Sequence, residues 1–133
     1  MRKAVLVPVV LAALVVVPLA SGGGTNARVS VTAKEFTLVP SVRSVKAGKV
    51  TFTMKNLGKV AHEMVVLKTN KAPGSLAGSG SSASERGSLG EISGIKPGKS
   101  GKLTLTLKAG KYVLFCNLPG HYKSGQFTGF LVT

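Results

Sequence analysis

Cys116-Asn117-Leu118-Pro119-Gly120-His121 places the only cysteine of the chain five residues before one of its two histidines, and Gln126 lies five residues beyond that histidine. The other histidine, His62, closes the stretch Asn56-Leu57-Gly58-Lys59-Val60-Ala61-His62, 54 residues upstream of the cysteine. One thiolate and two imidazoles, with a weak fourth donor, make the trigonal site that holds a blue copper ion. The chemistry of such a site is one-electron transfer. With two histidines and one cysteine the chain can build it once. A copper oxidase or nitrite reductase would need more histidines for a second copper. A thiol hydrolase built on a Cys–His pair is also disfavoured, since the chain has no Asp to orient the base and no evident oxyanion arrangement. The expectation is a binding and electron-transfer protein, not an enzyme.

Each of these residues has an ordinary alternative. A lone Cys at a strand end is usually a small buried hydrophobe, and a single His at a strand start is usually a satisfied core residue. The Cys116/His121 spacing, and His62 as the only other imidazole, outweigh those readings. Gln126 is a weaker candidate, because a surface Gln before a strand is common. Met64 would share a face with His62, but strand periodicity makes it core first, and Met54 reads as core too.

The elements that must position these residues are short strands. Residues 28–36 alternate, with Val29, Val31 and Ala33 on one side. Thr37-Leu38-Val39-Pro40 leads into a short edge strand around Val42, Ser44 and Val45. Val50, Phe52 and Met54 mark the inward face of a strand that Asn56-Leu57-Gly58 ends. His62, Met64 and Val66 share a face of the next. Short strands over 91–95, 103–107, 112–116 and 127–132 follow, separated by turns such as Lys96-Pro97-Gly98-Lys99. Residues 70–90, rich in Gly, Ser and Ala, read as a long flexible loop within the domain. No segment has convincing helical periodicity. Seven or eight short strands with frequent turns predict an all-β antiparallel sandwich.

The ends and the charge set the context. Arg2-Lys3, an apolar run from Ala4 to Ala20 and then Ser21-Gly22-Gly23-Gly24 have the layout of a secretory signal. The apolar run is also at the lower edge of a membrane-spanning length. Residues 1–24 are therefore expected to be a signal peptide or an N-terminal membrane anchor, and residues 25–133 an exported domain, periplasmic, extracellular or membrane-anchored. A formal net charge of +14, from 18 Lys and Arg against 4 Glu, raises nucleic acid as a partner. The cations are mostly Lys, are spread through every segment and form no basic stripe interleaved with aromatics. An acidic redox-partner protein, or an anionic membrane surface, is the better expectation. A charge that serves only solubility is an equal alternative. The domain is expected to be a monomer.

Asn56-x-Gly58-x-x-x-His62, and Tyr112-Val113-Leu114-Phe115 leading into the Cys116–His121 loop, resemble the two ligand loops of the cupredoxins, the family of plastocyanin, azurin and auracyanin. The resemblance runs over residues 28–133. It implies a Greek-key sandwich or barrel, one copper ion held by His62, Cys116 and His121, and electron transfer through an exposed edge of His121 framed by Leu118, Pro119 and Gly120. Two positions depart from the pattern. Gln126 stands where the family usually has Met, as in stellacyanin-like members, and becomes the expected axial ligand. Glu63 stands where plastocyanin has Asn, which leaves the surroundings of the thiolate open. A copper carrier or scavenger would use the same ligands, and a metal-free adhesion sandwich would make no use of their spacing.

Overall fold

The structure, a computed structural model, describes residues 24–133. The expected signal or anchor lies, up to residue 23, outside the described residues. Among those described, no helix is long and apolar enough to cross a membrane.

Two sheets face each other. The first contains β1 (Thr25–Lys34), β2 (Thr37–Pro40), β4 (Gly48–Asn56) and β9 (Ser100–Leu107), in the order β2-β1-β4-β9. The second contains β3 (Ser44–Val45), β5 (His62–Lys68), β8 (Ser88–Ile95), β10 (Gly110–Phe115) and β11 (Phe127–Val132), in the order β3-β11-β10-β5-β8. Pairing is antiparallel except for β1 with β4 and β11 with β3. The predicted all-β sandwich is thus found. Its two sheets hold more strands than the seven or eight expected, because the segment after Phe36 makes two separate strands. Mutual hydrogen bonds between Ser41 and Ser30 (2.7 Å to the Ser30 carbonyl, 3.1 Å from the Ser30 N–H) turn the chain between β2 and β3.

The core follows from strand alternation. Val29, Val31 and Ala33 of β1, Val50, Phe52 and Met54 of β4, and Met64 and Val66 of β5 all point between the sheets. Phe52 meets Phe130 edge-to-face with ring centroids 5.5 Å apart. Fully burying an aliphatic or aromatic side chain of this size is worth about 1.5–3 kcal/mol. This shared core holds β5 and β10, which carry two of the candidate ligands at their ends, at fixed depth.

The segment expected as a loop over 70–90 covers the outer face of the second sheet up to residue 87, and its last three residues already belong to β8. It contains a 3₁₀ turn at Pro73–Ser75 and a small hairpin of β6 (Gly78–Ser79) and β7 (Ser82–Ala83). Beneath it Val65, Leu67, Ala83, Val113, Phe115 and Tyr122 form a second apolar cluster. The Tyr122 hydroxyl donates to Pro73 O (2.7 Å) and accepts from Leu76 N–H (2.9 Å). β5 is consequently buried on both faces.

Candidate metal centre

The first loop, between β4 and β5, is organised by Asn56. Its buried side chain donates to Val60 O and Ile95 O, both at 2.8 Å, and accepts from Gly58 N–H at 2.8 Å. One amide thus closes the loop on itself and ties it to β8. The loop delivers His62, fully buried, to the first position of β5.

The second loop starts where β10 ends. Cys116 N–H donates to Gln126 O (3.0 Å), and Gln126 N–H donates to His121 O (3.1 Å). His121 N–H bonds Leu118 O at 2.9 Å. Gly120 has φ = +82°, a conformation open to glycine at little cost, so the tight Leu-Pro-Gly turn depends on it. Asn117 fastens the loop to its neighbour. Its side chain exchanges two hydrogen bonds with the backbone of Ala83 (2.7 and 2.9 Å) and donates to Glu85 at 2.6 Å.

These loops bring the four expected residues together. The ligand atoms of His62, Cys116 and His121 all lie within 4.8 Å of one another. Cys116 Sγ is 3.4 Å from His121 Nδ1, and the two imidazole centroids are 5.1 Å apart. Gln126 is fully buried beside them. Its Nε2 donates to two backbone carbonyls, Lys34 O (2.9 Å) and Thr37 O (3.2 Å), and lies 3.0 Å from His62 Nδ1. Carbonyls only accept, so they fix which way the amide lies. Nε2 thus lies on the His62 side of the cluster, and Oε1 is the atom that meets His121 Nδ1, at 3.1 Å. Met64 and Met54 are core residues, as expected.

The surroundings bias the protonation of the cluster. Burial raises the Cys116 thiol above its ordinary pKa, opposed by the backbone N–H of Glu63, which donates to Sγ over 3.4 Å. Burial, then the neighbouring His62, lower the pKa of His121. Both effects favour the neutral imidazole, the form that can ligate a metal. Glu63, whose place beside the thiolate was an open question, joins the two ligand loops. Its carboxylate accepts from Asn117 N–H at 3.0 Å, while burial raises its pKa. The soft thiolate and the two imidazoles fit a copper ion by donor type and by mutual distance, and the amide oxygen beside His121 offers a fourth, harder donor.

Two neighbours escaped the sequence reading. Glu35, in the turn between β1 and β2, accepts from His62 Nε2 over 2.8 Å. Phe36 beside it is 38% exposed and packs edge-on against His121, centroids 5.0 Å apart. A turn acid and a turn aromatic carry no motif. Only Gly58 hints at the first, because a Cβ there would collide with the Glu35 carboxylate.

A two-sheet sandwich with His, Cys and His converging from two loops at one end defines a cupredoxin-like domain. The family model of that description matches residues 6–129, and the chain belongs to this family. Solved structures with the same fold include an auracyanin from Roseiflexus castenholzii, 22% identical, covering 84% of this chain and 99% of that one with a TM-score of 0.58. Auracyanin B is 20% identical, covering 83% of this chain and 90% of its own at a TM-score of 0.61. Rusticyanin from Thiobacillus ferrooxidans is 16% identical, covering 83% of this chain and 79% of its own at 0.63. Rusticyanin is a copper protein. No curated protein sequence matches this one.

Proposed function

We propose that the protein is a type 1 copper protein that passes single electrons between redox partners outside the cytoplasm, in which His62, Cys116 and His121 would hold the ion and Gln126 Oε1 would offer a fourth donor. The observation that carries the reading is the convergence of one thiol and two imidazoles within 4.8 Å, built from loops that share no local sequence. A bound copper ion supplies the Cu(I)/Cu(II) couple. The chain's residues supply the rest. Buried Cys116, His62 and Gln126 keep water from the centre. Backbone hydrogen bonds across the Cys116–Gln126 loop hold the donors in one arrangement, so little has to move when the charge changes. His121, partly exposed and bordered by Phe36, is the side chain through which an electron enters or leaves.

Export is supported by Arg2-Lys3 and the apolar run that follows them. The net charge of +14 favours an acidic docking partner, whose association slows as salt screens it. The test of function is kinetic. Fast oxidation and reduction of the loaded protein by small redox reagents, with copper retained, supports electron transfer. Slow cycling, with ready transfer of copper to a chelating acceptor, identifies a copper carrier instead.

A further inference from the structure

We propose that Glu35 is the positioning residue of the centre, fixing the His62 tautomer and biasing the site toward Cu(II). The inference rests on the copper reading above. Glu35 Oε1 accepts from Lys59 N–H (2.9 Å), Val60 N–H (3.1 Å) and His62 Nε2 (2.8 Å). A carboxylate with this many donors aimed at one oxygen is held in place by the same loop that delivers His62. Two backbone N–H groups already donate to Oε1, so this oxygen is an acceptor toward the ring as well and the shared proton belongs to His62 Nε2. Nδ1 is left with its lone pair toward the cluster, where Gln126 Nε2 lies 3.0 Å away.

A carboxylate behind a ligating histidine fixes the ring and makes it more basic. A more basic imidazole and an added negative charge favour the higher oxidation state of a bound ion. Gly58 belongs to the same device. Its missing side chain leaves the space that the Glu35 carboxylate occupies, since a Cβ there would meet Oε1. Asn56, whose side chain holds the Gly58 N–H at 2.8 Å, keeps the loop curled around the carboxylate. Asn56, Gly58 and His62 of the first loop thus have a partner far away in sequence. Glu35 sits on the turn that also supplies Lys34 O and Thr37 O to Gln126, so one turn orients both a histidine and the amide donor.

The experiment has two parts. Long-range ¹H–¹⁵N correlation spectra of the metal-free wild-type protein read the His62 tautomer without any variant. The expected result is a protonated Nε2 with slow proton exchange, and a protonated Nδ1 overturns the proposal. Cu(I) and Cu(II) affinities are then measured for wild type, Glu35→Gln and Glu91→Gln, the last removing an exposed carboxylate on β8. Glu35→Gln is expected to weaken Cu(II) binding by about 10–100-fold, the usual effect of losing such a partner, and Cu(I) binding by less. Each tenfold change in their ratio appears as a rise of about 59 mV in potential. An unchanged ratio in Glu35→Gln, or an equal change in Glu91→Gln, contradicts the proposal. If the wild type lacks a thiolate–copper absorption band, the copper reading itself fails, while the tautomer still decides whether Glu35 sets the His62 ring.

Discussion

The backbone N–H of Cys116 donates to the carbonyl of Gln126 over 3.0 Å, so the two ends of the Cys–His loop are clamped together. The softest candidate donor and the hardest one therefore sit on the same closed ring of chain, with His121 between them. A substitution at Gln126 changes the side chain while that clamp remains.

Gln126→Met is expected to raise the reduction potential, because a thioether favours Cu(I) more than an amide oxygen does. It also removes the donor to Lys34 O and Thr37 O. Each of these part-buried hydrogen bonds is worth about 0.5–1.5 kcal/mol, so the metal-free variant should melt at lower temperature. Voltammetry and thermal unfolding read the two effects separately. An unchanged potential would mean that Gln126 does not approach the ion.

Copper binding should strengthen with pH. The ligand is the Cys116 thiolate, and burial raises the thiol pKa, so a proton must leave when the ion binds. Burial, then His62, lower the pKa of His121, which favours its neutral, ligating form. Below the thiol pKa the apparent affinity should rise roughly tenfold per pH unit, with one proton released. Competition titrations across neutral pH, with proton release recorded, check this. A flat profile would show that the thiol is already ionised in the free protein.

Acid should act on the metal-free fold through Glu35. The Val60 N–H, with His62 and the Lys59 N–H, lowers its pKa from 4.5 to about 2. A carboxylate with a depressed folded pKa stabilises the fold fully above its unfolded pKa. That contribution is lost as pH falls from about 4.5 toward 2. Glu63 runs the other way: burial raises its pKa, so its protonation on acidification favours the folded state. Denaturant unfolding of the metal-free protein against pH, compared with Glu35→Gln, should show a smaller acid loss in the variant. Identical slopes would place the acid sensitivity elsewhere.

Much of this architecture is legible in period-two patterns. Val29, Val31 and Ala33, or Val50, Phe52 and Met54, alternate because one face of each strand meets the core. β11 spans Phe127–Val132 as the pattern predicts. The site was legible because thiol and imidazole are scarce in this chain. Hydrogen bonds between distant segments were not. The split of β2 from β3 depends on Ser41 meeting Ser30, and a serine in a turn carries no such signal. β8 starts at Ser88, three residues before the expected strand, within Gly- and Ser-rich sequence that pairs only because β5 lies beside it. Glu35 is one acid in a turn, and its role comes from a loop brought back beside it by the fold.

Residues 70–90 offer a test of how their cover is held. Asn117→Ala should remove the bonds to Ala83 and Glu85, costing about 1–3 kcal/mol for the polar groups left behind. Hydrogen exchange at the Ala83 amide should accelerate in the variant, while amides of β10 keep their protection. Unchanged exchange at Ala83 would mean that other contacts hold the segment.

The most direct measurement is the visible absorption and EPR spectrum of the protein after addition of Cu(II), beside Cys116→Ser. An intense thiolate-to-copper band, bleached on reduction and absent from the serine variant, is the predicted result. A colourless wild type, or weak bands indifferent to Cys116, would contradict the copper site and leave a sandwich with a buried, inert thiol.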